Sequence, residues 1–179
     1  MALDVFPSGP RRPSHRTAPK SDNEGVQAFL EEIGAAAADA SRALRLTASH
    51  FQADTATLHE LGSDGMLHLK AWTGLPDHLL PHVQTIPVGK GIAGLAVERK
   101  EPVNLCNLQS DTSGAARPRA LDTGVKGSIC VPLLAGDKAV GALGIGTKHE
   151  REFQAGEIET LMDVGRILAS ERWGAARKG

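Results

Sequence analysis

Apolar residues recur every three or four positions in two long segments, one near each end of the chain. The first pattern predicts one helix from Asp22 to Ser49, with Asp22 or Asn23 as its N-cap. The second predicts a helix that follows Phe153 and ends near Leu168, with Gln154 as a weak cap. The apolar positions of the first helix are Val26, Phe29, Leu30, Ile33, Ala37, Ala40, Leu44 and Ala48.

Between these helices, four segments have the composition and alternation of strands. Thr55 to Leu61 and Met66 to Trp72 flank a Gly-Ser-Asp-Gly turn, which predicts a hairpin. Val125 to Leu134 and Ala139 to Thr147 flank a second short turn and predict another hairpin. Three glycines interrupt the last strand, and glycine inside a strand often marks a bulge or a close approach. They are Gly141, Gly144 and Gly146.

The middle of the chain combines a glycine turn with a short helix. Gly89 and Gly91 bracket Lys90, and both can adopt a positive φ without a steric penalty. The apolar residues that follow at helical spacing predict a short helix that ends before Pro102. Val103 to Leu105 then predicts a short strand.

This glycine turn and helix resemble those of GAF domains, which are small-molecule sensor modules of signalling proteins. The segments Gly124 to Leu133, Ala139 to Ile145 and Phe153 to Leu168 resemble the family's long strand, its hairpin partner and its closing helix. The resemblance covers roughly residues 26 to 170. It implies an α+β fold with a GAF/PAS-like central antiparallel sheet of about six strands. The terminal helices would cover one face, and a ligand pocket would lie on the other.

The composition is consistent with a single domain that does not bind nucleic acid. We expect a flexible tail over residues 1–21, one GAF-like domain over residues 22–173 and a flexible end over residues 174–179. The tail is locally basic, so an arm that binds nucleic acid or lipid is its alternative role. The 20 basic and 21 acidic residues nearly balance, which argues against a nucleic-acid protein. Since no signal peptide or membrane span is recognisable, we expect a cytoplasmic protein.

The resemblance leaves three functions open. The first is a non-enzymatic sensor of bacterial-type signalling, which passes its state to a signalling partner. We expect it to form a homodimer through the helix Asp22 to Ser49, together with Ile158 to Leu168. The second is a free methionine sulfoxide reductase, although Ala93 stands where that branch has its helix cysteine. Cys106 and Cys130 lie elsewhere, and we expect both to be reduced and dispensable. The third is a purely dimerising module with a vestigial pocket. The alternative role for the apolar stripe of the Asp22 helix is ordinary packing on the domain's own sheet.

The anticipated ligand is a small anion such as nitrate, a carboxylate or a small phosphate. The helix that starts at Gly91 presents free backbone N–H groups, which favour an anion. Arg117 and Arg119 flank Pro118 in a long loop that, by resemblance, covers the pocket, and guanidinium groups bind oxyanions well. Alternatively, both arginines are solvated loop charges. The candidate binding residues are Trp72, Ile92, Ala93, Gly94, Leu95, Arg117, Arg119 and Ser128.

No cofactor or metal is indicated by the sequence. His78 and His82 have a spacing of four, which can share a metal on a helix, but Pro81 lies between them and no third ligand follows. Haem binding through one of the seven histidines stays open, although no single histidine is singled out by its sequence context. The glycines around Lys90 lack the remainder of a phosphate-binding loop.

Overall fold

The computed structural model describes residues 20–110 and 123–173, and the side chains of residues 23–110 and 123–172. The predicted terminal tails therefore lie almost wholly outside the described residues, as do Arg117 and Arg119. The helices are α1 (Lys20–Ala36), α2 (Ala40–His50), α3 (Leu80–Val83), α4 (Gly91–Arg99) and α5 (Ala155–Trp173). The strands are β1 (Thr55–Leu61), β2 (Met66–Thr73), β3 (Thr85–Pro87), β4 (Val103–Leu105), β5 (Gly127–Ala135) and β6 (Lys138–Thr147).

All six strands form one antiparallel sheet in the order β3-β2-β1-β6-β5-β4. Both predicted hairpins, β1–β2 and β5–β6, are present, and β1 has the predicted bounds. The fold class expected from the sequence is therefore confirmed. Strands β1 and β6 are central neighbours, so the residues that face outward from them lie at the middle of each sheet face.

The first predicted helix is wrong in one respect, because the structure divides it into α1 and α2. The backbone turns at Ala37–Asp39, and the Asp39 side chain accepts a hydrogen bond from the Arg42 backbone N–H at 3.0 Å. Asp39 therefore caps a new helix, which competes with continuation of the old one. Helix α1 also begins at Lys20, which places Asp22 and Asn23 inside its first turn rather than at its N-cap.

The helices α1, α2 and α5 share one face of the sheet and build the larger apolar core with it. Residues of the apolar stripe predicted for the first helix pack in this core, where Phe29, Ile33 and Leu44 are buried. Phe153 is buried directly before α5, and Ile158 packs against the same core. Glu157 accepts a hydrogen bond from the Gln154 backbone N–H at 2.9 Å, which is half of the predicted capping box.

Helix α4 lies on the opposite face, over a smaller apolar cluster. Gly89 and Gly91 have φ angles of +77° and +65°, as the glycine turn predicted. Gly94 packs so closely against the turn that a Cβ there would lie 2.3 Å from the Pro87 carbonyl oxygen. The cluster comprises Leu67, Ile86, Ala96, Val97, Val103, Cys130 and Ala142.

Residues 73–85, which the sequence predicted as irregular, contain a 3-10 turn at Asp77–Leu79 followed by α3. Pro81 lies at the start of α3, where its missing N–H costs no helical hydrogen bond. Within the described residues, no helix is both long and apolar enough to cross a membrane.

The space around each glycine predicts opposite effects when Gly94 of α4 and Gly34 of α1 are replaced by alanine. Gly94→Ala should destabilise the fold by about 1–3 kcal/mol, because the new Cβ overlaps the Pro87 carbonyl. Gly34→Ala is the matched control. No atom lies within 4 Å of the position that a Cβ on the helical Gly34 would take, so this change should stabilise the fold by about 0.4–1 kcal/mol. Urea unfolding measures both. Equal stability of Gly94→Ala and the parent would contradict the close packing of α4.

Candidate functional site

A cavity of about 450 Å³ lies between the sheet and α4, which is within the usual size range for small-molecule sites. Strands β1, β5 and β6 form its floor, and α4 and the segment from Leu75 to Ile86 contribute its walls. The lining residues are Thr55, Thr57, His59, Leu75, Pro81, His82, Val83, Thr85, Ile86, Gly91, Ile92, Ala93, Leu108, Thr123, Val125, Ser128, Cys130, Gly144, Ile145 and Gly146.

The floor owes its depth to two glycines of β6. In the strand register, Gly144 lies between Thr57 of β1 and Cys130 of β5. A Cβ at Gly144 would lie 3.1 Å from the Thr57 hydroxyl oxygen. Gly146 similarly lies between Thr55 and Ser128. Paired residues of antiparallel strands face the same side, so both rows place small side chains on the floor. Val125 packs over Gly146, because a Cβ there would lie 2.7 Å from a Val125 methyl carbon.

The first turn of α4 forms one wall of the cavity. Gly91, Ile92 and Ala93 line it, and Lys90 at the N-cap makes no side-chain capping hydrogen bond. The first N–H groups of a helix have no partner inside the helix. Together with the aligned peptide dipoles they make this wall electropositive.

His59 is a buried titratable side chain of the floor, with only 2% of its surface exposed. Its Nε2 lies 2.8 Å from the Val83 carbonyl oxygen, and since a carbonyl only accepts, Nε2 carries the proton. Among the described residues, Nδ1 has no hydrogen-bond partner. Burial lowers the pKa of His59; the bond to Val83 opposes that shift, and the charge of His68 adds to it. His59 is therefore neutral near pH 7.

The structure brings some of the predicted binding residues together. Ile92, Ala93 and Ser128 line the cavity. Gly94 packs back against the glycine turn, and Leu95 packs against the smaller cluster, so neither contributes to the lining.

Trp72 lies at the end of β2, paired with Thr57, and is 43% exposed. It therefore shares the cavity face of the sheet without lining the cavity. Arg117 and Arg119 lie outside the described residues, so the expected arginine contribution stays a prediction.

Sequence reasoning missed three floor residues, Thr55, Thr57 and His59. The signal was present, because β1 reads Thr-Ala-Thr-Leu-His, with polar residues at alternate positions. Ala56 and Leu58 between them are buried in the larger core. When both faces of a strand are covered by other parts of the protein, a row of polar residues on one face indicates that this face borders a binding site rather than bulk solvent.

The two cysteines differ in environment. Cys106 is exposed, whereas Cys130 is buried and lines the cavity. Burial raises the pKa of the Cys130 thiol to about 12. Cys130 is therefore a protonated thiol at neutral pH and a poor nucleophile.

The described residues contain no group of three or more His, Cys, Asp or Glu side chains that could hold a metal ion. His82 lies in α3 and lines the cavity, whereas His78 lies in the preceding 3-10 turn and does not.

The family model described as GAF domain matches residues 27–170. The chain belongs to the GAF domain family. No curated protein matches it significantly.

Solved structures with this fold come from proteins of different kinds. The GAF domain of an Acinetobacter phosphoenolpyruvate-protein phosphotransferase is 19% identical, with a TM-score of 0.72 over 90% of this chain and 98% of its own. The free methionine-R-sulfoxide reductase of Neisseria meningitidis, in complex with its substrate, is 18% identical, with a TM-score of 0.70 over 91% and 96%. A candidate GAF sensor from Burkholderia vietnamiensis is 18% identical, with a TM-score of 0.72 over 87% and 98%. At this identity, the similarity establishes the fold alone.

The buried, neutral His59 predicts a loss of stability in acid. In the unfolded chain, His59 takes up a proton as the pH falls below about 6.5. In the folded chain its pKa is lowered, so the unfolded state binds more protons and the free energy of unfolding falls below that pH. His59→Gln should show a smaller fall, because its amide can still donate to Val83 but does not titrate.

Urea unfolding at several pH values between about 5 and 8 measures this effect. His50 also has a pKa lowered by burial, so part of the fall should remain in His59→Gln. His149→Gln, at an exposed position, is the control and should behave as the parent does. If His59→Gln and the parent lose stability equally, His59 is not buried in its neutral form.

Proposed function

We propose that this GAF domain is a non-enzymatic sensor that binds a small molecule in the cavity between β1, β5, β6 and α4. The observation that carries the proposal is the cavity itself, about 450 Å³ in volume and floored by Gly144 and Gly146. A strand position occupied by glycine loses the packing that a side chain would supply. Gly144 leaves room above the floor beside Thr57 and Cys130, whereas Val125 packs over Gly146, so the case for a ligand rests on the cavity volume and on Gly144.

The first turn of α4 favours an anionic or acceptor group on the ligand. Its first residues line the cavity, and the N-cap Lys90 makes no side-chain hydrogen bond to its N–H groups. By family resemblance, Arg117 and Arg119 would add positive charge from the covering loop. The ligand class is therefore a small anion, for which nitrate, carboxylates and small phosphates are the first candidates.

The cysteines support binding rather than redox catalysis. Thiol-dependent reduction needs a thiolate and an accessible second thiol. The one cysteine that lines the cavity, Cys130, is buried and protonated, and Ala93 occupies the helix wall beside it. An assay of free methionine sulfoxide with a thiol reductant distinguishes the sensor from the reductase, and turnover would overturn the non-enzymatic assignment.

A homodimer is the route that we propose for passing the signal to a partner. The apolar stripe of α1 and α2 is mostly buried in the chain's own core, so a dimer needs other surfaces, and we propose the outward faces of α1 and α5. Light scattering at tens of micromolar should give twice the mass of about 18.8 kDa. A monomer mass would overturn the proposed homodimer.

Binding in the cavity predicts that an anion raises the melting temperature and that filling the cavity abolishes this effect. A ligand present at 100 times its Kd stabilises the native state by about 2.7 kcal/mol. For a domain of this size, that corresponds to a shift of roughly 5–11 °C. Ala93→Leu should remove the shift, because the larger side chain enters the cavity from α4.

Ala155→Leu makes the same change at an exposed position of α5 and should keep the shift. Arg117→Ala and Arg119→Ala should each weaken binding by about tenfold if the loop contributes as expected. If no anion stabilises the parent, the anion proposal is wrong and an apolar or haem-like ligand becomes the better hypothesis. If Ala93→Leu binds as the parent does, the ligand lies elsewhere.

A further inference from the structure

The walls of the cavity are mostly hydrocarbon. Apolar residues from five separate parts of the chain border it, namely Leu75, Ile86, Ile92, Leu108 and Val125. Leu108 and Val125 are buried, Ile86 belongs to the smaller apolar cluster, and Ile92 packs against that cluster. A molecule that fills the cavity therefore has to present apolar surface to several of these walls at once.

The polar groups of the described lining offer hydrogen bonds rather than ion pairs. Among the described residues, the lining contains no Asp, Glu, Lys or Arg. Its polar side chains are hydroxyls, two imidazoles and the Cys130 thiol, which burial keeps protonated. A hydroxyl can rotate to meet a donor or an acceptor, so it orients a ligand without selecting its charge. The partial positive charge at the first turn of α4 occupies only one side of this space.

The cavity is also much larger than an inorganic anion. The share of one water molecule in the liquid is about 30 Å³, so a cavity of about 450 Å³ corresponds to roughly fifteen water molecules. Nitrate takes up on the order of two such volumes and would leave most of the apolar wall in contact with water. A ligand that displaces this water gains the hydrophobic contribution to binding, which nitrate forgoes.

We infer that the ligand is an organic acid with a compact apolar body of about five to ten carbon atoms, each close to one water volume in size. The carboxylate lies at the first turn of α4, and the apolar body fills the space bordered by Ile92 and Val125. This inference rests on the proposed function and deepens it, because it selects apolar organic acids over nitrate and small phosphates. Ile92 then helps to set the size of acid that the sensor accepts.

The first experiment measures affinity as a function of the size of the acid. Calorimetry on the full chain compares nitrate, phosphate and acetate with butanoate, hexanoate, octanoate, benzoate and cyclohexanecarboxylate. Each methylene that becomes buried should tighten binding by about three- to fourfold until the cavity is filled. Hexanoate or a cyclic acid should therefore bind at least about tenfold more tightly than acetate and nitrate. Equal affinities for acetate, hexanoate and cyclohexanecarboxylate would contradict the apolar body.

A second comparison tests the acid group while the apolar body stays constant. Hexanamide and hexylamine have the chain length of hexanoate but carry no negative charge. Both should bind at least about tenfold more weakly than hexanoate, because the first turn of α4 favours an anion. If either binds as tightly as hexanoate, the ligand is not selected as an acid and the inference is wrong.

Variants of the cavity wall should change the preferred size of the acid. Ile92→Ala removes three carbon atoms from the wall, so the tightest binding should move to a longer acid. Gly144→Ala adds a methyl group to the floor and should move it to a shorter one. Ile167→Ala is the matched control, because Ile167 is also half-buried but packs against the larger core on the other face of the sheet.

Ile92→Val makes the same test with the loss of a single carbon atom, should Ile92→Ala fail to fold. The ratio of octanoate to hexanoate affinity should rise in either Ile92 variant and stay at the parent's value in Ile167→Ala. An unchanged ratio in the Ile92 variants would show that the apolar body does not contact this wall.

A spectroscopic readout on the parent is independent of how the variants fold. In the complex with cyclohexanecarboxylate, nuclear Overhauser effects should connect the ring protons of the acid to methyl groups of Ile92 and Val125. The methyl groups of Ile167 should show none. A bound acid without contacts to Ile92 and Val125 would overturn the inference.

Failure of the inference and failure of the proposed function give different results. If nitrate or phosphate stabilises the parent but not Ala93→Leu, and affinity does not rise with the size of the acid, the sensor proposal stands and the apolar body is wrong. If no anion, inorganic or organic, stabilises the parent, the anion proposal fails together with the inference. If every acid stabilises the parent and Ala93→Leu equally, binding lies outside the cavity and both fail.

Discussion

The cavity depends on the close approach of three strands around glycine positions that carry no side chain. At Gly144 an added Cβ would lie 3.1 Å from the Thr57 hydroxyl and 3.6 Å from the Cys130 sulfur. At Gly146 it would lie 2.7 Å from a Val125 methyl group. Larger residues at Gly144 or Gly146 would fill the cavity or force β6 away from its neighbours. Both the cavity and the pairing of the central strands therefore require small residues at these positions. The same strand buries Leu143 and Ile145 on its other face, which fixes its register.

Burial then sets the chemistry of the groups that border this space. A neutral imidazole and a protonated thiol are the forms that a poorly solvated site favours, and His59 and Cys130 are shifted in those directions. The N-terminal end of α4 adds a partial positive charge, which needs no desolvated side chain to maintain it. These protonation states suit the reversible binding that we propose better than covalent chemistry.

The strands and the glycine turn could be predicted because each has a local cause. The alternation of residue types and the flanking turn residues predicted β1. The glycines Gly89 and Gly91, which can adopt a positive φ, predicted the start of α4. The break at Asp39 was missed because a run of alanines continues the helical pattern across it. His59 was missed because its role depends on Val83, which lies 24 residues away and meets it only through the strand pairing.

The fold cannot identify the ligand. Proteins described as a phosphotransferase GAF domain, a methionine sulfoxide reductase and a candidate sensor share it with this chain at 18–19% identity. The side chains that face the cavity must therefore carry the specificity. Among the described residues they include hydroxyls, a neutral imidazole and a thiol kept protonated by burial, beside the first turn of α4. Each of these groups can orient a polar molecule, and Cys130 is held in the form least able to react with one.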